Sequence, residues 1–187
     1  MPRHVDPAVE ERVLLAARKL WAKGGFDSLS MRAVARAART NTPAIYRRFR
    51  NKKEILRAIV ERVQRDLFAV LEPCASFEEA AAGALEFALT NVHDYELISS
   101  GIFSKVGGPR PNVELMKLRG AQWLGGSPED YTRLVLALWA LIHGTATLLI
   151  SRAVSDGYAG ELRAAFAASV KTLVETAASE LAPAHKS

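Results

Sequence analysis

Apolar residues recur with a helical period along almost the whole chain. Val13, Leu14 and Ala17 follow the spacing of one helix face, whereas the strict alternation of apolar and polar residues that marks a strand is almost absent. Helix punctuation agrees with this pattern, since Pro7 can open the first helix and Gly24-Gly25 can end it. The pattern predicts an all-α protein of about nine helices.

Two short helices are predicted within the first fifty residues. Ser30 can cap a helix over 31–38, and Asn41 can cap a second short helix. Only Arg39 and Thr40 remain between them as a connection. Two short helices joined by a minimal turn, with an amphipathic helix before them and a long one after, form a three-helix helix-turn-helix domain.

The rest of the chain is predicted to be a larger helical domain. A long fourth helix begins at Asn51-Lys52-Lys53-Glu54, which resembles a capping box, and ends at Pro73. Ser76 and Ser127 can cap later helices. The last two long helices are expected over about 128–155 and 161–182, with Asp156-Gly157 between them.

The positive charge is concentrated in the first part of the chain. The net charge is +5, yet residues 1–72 carry 16 Lys and Arg against 8 Asp and Glu, and residues 73–187 carry 9 against 12. Between Arg32 and Lys53 there are eight cations and no acidic residue. Cations at this density repel one another unless a polyanion neutralises them, and DNA phosphate does so with release of counterions.

The second short helix is the predicted recognition helix. Its first residues are small or polar, so its start can approach base edges, where Asn41 and Thr42 can donate and accept hydrogen bonds. Arg47 has the reach and the planar fork that guanine requires. We expect Arg32, Tyr46 and other flanking side chains to hold phosphates. The predicted DNA-contacting set is Arg32, Thr40, Asn41, Thr42, Pro43, Ala44, Tyr46, Arg47, Arg48 and Lys52.

The position of Lys52 also suits it to bind a phosphate. It lies in the first turn of the fourth helix, where its ammonium and the exposed backbone N–H groups would address one phosphate. Lys52 is therefore predicted to act on the backbone rather than on a base.

Residues 9–60 resemble the N-terminal domain of TetR-type transcriptional regulators. The similarity rests on Gly25-Phe26 after the first helix and on Tyr46, Phe49 and Lys52 in the expected order. Arg39 stands where such domains have a turn glycine, and Thr40 where a small aliphatic residue is usual. Arginine adopts the left-handed region only at some cost, so the turn either differs from the usual one or is strained. The resemblance implies a DNA-binding domain over 1–50, a linking helix over 51–72, and an effector-binding and dimerisation domain over 73–187.

Trp139 to Gly144 resembles the Trp-His-Gly (WHG) subclass of TetR C-terminal domains. The last two helices carry apolar residues on more than one face, so we expect them to pair with a symmetry mate in a homodimer that contacts a palindromic DNA operator. One apolar row is Leu134, Leu138, Leu141, Thr145 and Leu148, and the other is Leu162, Phe166, Ser169, Leu173 and Ala177. By analogy with the family, we also expect a pocket for a small, largely apolar effector. His143 fits a core histidine better than a ligand contact, and aromatic residues at helical spacing are more often core. The expected pocket residues are Phe87, Tyr95, Phe103, Leu118, Trp123, Trp139 and His143.

Other functional classes find less support. Leu134 to Ser151 carries no formal charge over eighteen residues, but its polar residues and glycine favour a buried helix over a membrane span. The single cysteine, Cys74, excludes an intrachain disulfide, and the N-terminus lacks the apolar run of a signal peptide, so we expect a cytoplasmic protein. No metal, cofactor or catalytic motif occurs, and no catalytic residue is predicted.

The leading interpretation is a ligand-responsive, sequence-specific transcriptional regulator, a repressor that its effector releases from DNA. The alternative is an architectural DNA-binding protein that responds to no ligand. An enzyme is the third and least favoured class.

Overall fold

The computed structural model describes residues 7–99 and 111–181, and these residues form nine α-helices, two 3₁₀ helices and no strand. This confirms the predicted all-α fold. The α-helices are α1 Pro7–Gly24, α2 Met31–Ala37, α3 Thr42–Tyr46, α4 Lys52–Leu71, α5 Phe77–Thr90, α6 Val92–Ser99, α7 Pro111–Leu124, α8 Thr132–Ile150 and α9 Asp156–Leu181. The 3₁₀ helices are Gly25–Ser28 and Pro128–Tyr131.

Side-chain caps start several helices where the sequence predicted them. The Ser30 hydroxyl accepts the N–H of Ala33 at 3.1 Å, and the Ser76 hydroxyl accepts that of Glu79 at 3.2 Å. Each cap satisfies a backbone donor that has no partner inside its own helix. The local chemistry of the caps therefore sets these boundaries.

The end of α8 was predicted wrongly. The helix stops at Ile150 rather than near residue 155, because Arg152 adopts φ +53 and reverses the chain. The N–H of Ala153 then bonds to the Leu148 carbonyl at 3.1 Å, as in a Schellman motif. Asp156-Gly157, expected to separate the helices, instead lies in the first turn of α9.

The first compact unit comprises described residues 7–63 and 93–99. Its core includes Val13 and Ala17 of α1, Ile45 of α3, and Leu56 and Ile59 of α4, all fully buried. The short helices α2 and α3 are thus held by apolar anchors rather than by their own length. A helix of five or seven residues has little stability alone.

Helix α6 belongs to this first unit because its start is bonded to α1. Arg18 donates from Nε to an Asp94 carboxylate oxygen at 3.1 Å, and its second nitrogen binds the other oxygen. The Trp21 indole N–H donates to the His93 carbonyl at 3.2 Å. Two adjacent residues of α6 are therefore fixed by residues one turn apart on α1.

The second unit comprises described residues 64–92 and 111–181. Helices α5, α8 and α9 pack against one another, and α7 packs against the 3₁₀ helix that precedes α8. Phe77 meets Trp123 edge-on with ring centroids 5.2 Å apart and lies 5.8 Å from the ring of Tyr131. The Tyr131 hydroxyl donates to the Gly125 carbonyl at 2.6 Å, so this aromatic cluster also fixes the end of α7.

The boundary between the units falls within α4, and the chain returns to the first unit at His93. The functional division at residues 50 and 72 stays a prediction. Within the described residues one helical stretch, Pro128–Ile150, is long and apolar enough to cross a membrane. Leu134, Val135 and Leu138 of this stretch are buried in the second unit, and 28% of its most apolar eighteen-residue window is buried.

Candidate nucleic-acid interface

The turn between α2 and α3 is a complete Schellman motif with an arginine at its left-handed position. Arg39 has φ +51, so of the two alternatives the sequence left open the turn takes the strained one. Its N–H bonds to the Arg36 carbonyl at 3.2 Å, and the N–H of Thr40 bonds to the Ala35 carbonyl at 3.0 Å. These two bonds define the direction in which the chain leaves α2 and enters α3.

Helix α3 is anchored on one side and exposed on the other. Ile45 is fully buried, whereas Pro43 and Arg47 are exposed and Tyr46 is 53% exposed. Asn41 Oδ1 accepts the N–H of Ala44 at 2.8 Å, so the cap occupies this oxygen and leaves the amide nitrogen for other contacts. The predicted recognition face is therefore the face that the packing leaves accessible.

Most of the cations between residues 32 and 53 have no counter-charge. Six of them are exposed and make no ion pair with the described residues: Arg32, Arg36, Arg39, Arg47, Arg50 and Lys53. Exposed like charges on neighbouring turns raise the free energy of the folded domain. We call the surface formed by these six residues the cationic surface.

Arg48 differs from the other cations. Its guanidinium pairs with Glu10 of α1, and its side chain is only 13% exposed. This ion pair ties the end of α3 to α1 within the first unit. The expectation that Arg48 holds a phosphate stays untested, and the observed geometry favours a structural role.

Lys52 contacts the ring of Phe26, and the sequence alone does not display this contact. Its ammonium lies 3.6 Å from the centroid of the Phe26 ring. The backbone N–H groups of Lys53 and Glu54 donate to Asn51 Oδ1 at 2.9 and 3.2 Å. The prediction was that exposed N–H groups here would bind a phosphate, but these two already have a partner. The Gly25-Phe26 pair that carried the family resemblance was the available cue, but contact with Lys52 depends on tertiary folding.

The residues predicted to line an effector pocket have diverse surroundings. Phe87 and Tyr95 are buried, in the second and first units respectively. Trp123 packs on Phe77, and Leu118 is 53% exposed. Phe103 lies outside the described residues.

Trp139 and His143 lie one turn apart on an exposed face of α8. Trp139 is 43% exposed, which is unusual for a core aromatic residue. The prediction that His143 is a core histidine is wrong within this single chain, because the side chain is exposed.

A groove of about 480 Å³ lies between α5 and α9 of the second unit. Buried Leu85, Phe166 and Val170 line it together with exposed Glu78 and Glu86. None of the six predicted pocket residues that the structure describes lines this groove. Among the described residues, no group of three or more His, Cys, Asp or Glu side chains is placed to hold a metal ion.

The first unit thus combines a helix-turn-helix with an accessible recognition helix and an uncompensated cationic surface. Residues 13–59 match the model of the family described as "Bacterial regulatory proteins, tetR family". The matched segment begins within α1, includes α2 and α3, and ends within α4.

Solved structures extend the likeness to nearly the whole chain. A protein of unknown function from Rhodococcus sp. RHA1 has 25% sequence identity and a TM-score of 0.71, with 94% of this chain and 98% of that chain covered. BioQ from Mycobacterium smegmatis has 23% identity and a TM-score of 0.67, with 91% and 97% covered.

A TetR variant from Acinetobacter baumannii AYE, solved in complex with minocycline, has 21% identity and a TM-score of 0.62, with 88% and 93% covered. The fold of the chain is therefore that of TetR-type regulators. No curated protein sequence matches the chain.

Proposed function

We propose that this protein is a TetR-type transcriptional regulator that binds a specific DNA operator as a homodimer. The observation that carries the proposal is the cationic surface around an accessible recognition helix, since its six exposed cations have no counter-charge within the described chain. Phosphate neutralisation with counterion release supplies the affinity that such a surface is suited to. No enzymatic activity, cofactor or metal is part of this proposal.

Bases and phosphates are assigned to different side chains. Thr42 and Arg47 lie at the start and just past the end of α3, and we assign both to base edges together with Asn41, Pro43 and Ala44. We assign Arg32, Thr40, Tyr46 and Lys52 to the DNA backbone. Arg48 is kept as a secondary backbone contact that first has to leave Glu10.

Exposed apolar residues of α8 support a homodimer through α8 and α9. Leu134, Leu138 and Thr145, which the sequence suggested for a partner, are buried within the second unit. Leu136 and Trp139, one turn apart on α8, are 46% and 43% exposed, and we assign them to the contact with a second copy. Leu148 is 40% exposed but lies on another side of the helix. Two recognition helices related by a two-fold axis then contact half-sites about one helical turn, roughly 34–36 Å, apart on a palindrome.

The effector in this proposal is a small, largely apolar molecule that releases a repressor from DNA. The supporting observations are that Phe87 is buried and that Trp123 packs edge-on against Phe77, both within the second unit. Such a molecule acts only if it binds one conformation of the protein more tightly than the other. We expect the protein to act in the cytoplasm.

The decisive experiment is selection of bound fragments from the source genome with the purified protein near physiological salt, followed by sequencing. Enrichment of a short palindrome supports a sequence-specific dimer and supplies the operator. Uniform recovery of fragments contradicts the proposal and favours the architectural alternative, in which the cationic surface binds phosphate without base recognition.

The assignment of Arg47 can be tested on the selected operator. Arg47→Ala should weaken binding by about 1–3 kcal/mol and relax the preference at one base position. Arg133→Ala, an exposed cation on α8, is the matched control and should leave the binding unchanged. An equal loss on every sequence would make Arg47 a phosphate contact.

A further inference from the structure

Arg39 combines two features that fold stability does not explain. Its backbone has φ +51, a region that is unfavourable for a residue with a Cβ and free of that strain for glycine. Its side chain is exposed and makes no ion pair or hydrogen bond with the described residues. The strained backbone of Arg39 is therefore not offset by any contact of its side chain with the described residues.

Arg152 shows that backbone strain alone does not indicate a functional role for an arginine. It has φ +53 at the same position of a second Schellman motif, at the end of α8. The surroundings differ, because Arg39 lies in a stretch with no acidic residue and Arg152 in the part of the chain with an acidic excess. A cation near a helix C-terminus interacts favourably with the helix dipole. Arg36 already provides this cation in the last turn of α2, so the dipole does not require Arg39.

The position of Arg39 is the third observation. Thr40 alone separates it from Asn41, the cap of the recognition helix. A helix whose start enters the major groove brings the preceding turn to the phosphates that border the groove. A long, exposed, unpaired guanidinium at this turn is suited to bind a phosphate oxygen with two parallel hydrogen bonds.

We propose that Arg39 is an additional contact to the phosphate backbone of the operator, at the cost of strain in the turn. The inference rests on the proposed function of the helix-turn-helix. Arginine then replaces the usual turn glycine because its charge contributes to binding, while its backbone conformation weakens the fold.

The test compares stability and DNA affinity in the same variants of the full chain. Arg39→Gly should raise the melting temperature by roughly 2–4 °C, because glycine relieves the left-handed strain. The same change should weaken operator binding by roughly 3- to 10-fold and lower the salt slope of log K by about one. Arg39→Asn, which tolerates the left-handed region without charge, should show the same loss of affinity.

Arg152→Gly is the matched control, since it relieves the same strain in the second unit. It should raise the melting temperature without changing affinity or salt slope. Wild-type affinity and salt slope in Arg39→Gly would overturn the inference and leave the proposed function intact. Failure of the unsubstituted protein to bind any DNA would instead overturn the proposed function, and with it the role of Arg39.

Discussion

The ammonium of Lys52 lies over the face of the Phe26 ring, 3.6 Å from its centroid. Phe26 is 37% exposed, so it fills little of the core, and its contact with Lys52 brings the 3₁₀ helix after α1 to the start of α4. A cation–π contact at such an exposed site contributes about 0.5–1 kcal/mol. The contact also favours one orientation of the flexible four-carbon side chain of Lys52 over its other conformations.

Phe26→Leu should therefore weaken operator binding by roughly 2- to 5-fold, since the Lys52 ammonium loses its fixed position. Fluorescence anisotropy with labelled operator measures the change. In a Lys52→Ala background the same substitution should have no effect, and Phe26→Tyr should restore wild-type affinity. Equal losses from Phe26→Leu with and without Lys52 would show that the ring acts through the fold alone.

The ion pair between Arg18 and Asp94 should stabilise the first unit. The two side chains are 28% and 17% exposed, and the pair has two hydrogen bonds, so solvent screens it less than a surface pair. Asp94→Asn should lower the free energy of unfolding by about 1–3 kcal/mol, measured by urea denaturation. Amide hydrogen exchange should rise in α1 and α6.

The matched control is Glu11→Gln, which breaks a more exposed ion pair between Arg62 and α1. It should change stability little, because solvent screens the pair. A double-mutant cycle with Arg18→Met isolates the coupling with Asp94. A coupling energy near zero would mean that the contact contributes nothing to stability.

Local chemistry made much of the fold predictable, and distant contacts did not. Ser30 and Asn41 cap helices through bonds to residues three positions later, so the sequence displays them directly. The end of α8 was missed because Arg152 occupies a left-handed position with no glycine to mark it. The pairing of Arg48 with Glu10, 38 residues away, depends on tertiary packing, so the sequence does not display it.

Burial of Tyr95 should make stability depend on alkaline pH. Desolvation raises the pKa of Tyr95 from 10.0 to about 12. Because the folded protein holds this proton more tightly than the unfolded chain, the stabilisation is complete below pH 10 and is lost as the pH rises toward 12. A shift of this size corresponds to about 2–3 kcal/mol.

Urea denaturation between pH 9 and roughly pH 11, compared between variants, measures this contribution. In Tyr95→Phe the free energy of unfolding should fall less steeply with rising pH than in the wild type. Tyr158→Phe is the control, since Tyr158 is 69% exposed and should leave the decline unchanged. An identical pH dependence in Tyr95→Phe and the wild type would contradict the raised pKa.

Gly120 is required by the aromatic cluster of the second unit. A Cβ at this position would lie 2.5 Å from Cγ of Tyr131 and 2.8 Å from Cζ of Phe77, closer than atoms in proteins approach. Both rings are buried, and Tyr131 is further fixed by its bond to Gly125. Neither ring can move without disturbing the packing of α7 on the 3₁₀ helix.

Gly120→Ala should therefore destabilise the protein by about 1–3 kcal/mol, a loss typical of overpacking. Gly160→Ala is the control, because a Cβ there meets nothing within 4 Å and alanine favours a helix interior by about 0.5–1 kcal/mol. Thermal unfolding at one fixed protein concentration should move the two melting temperatures in opposite directions. A gain of stability in both variants would show that α7 shifts freely, and that the aromatic cluster does not fix its position.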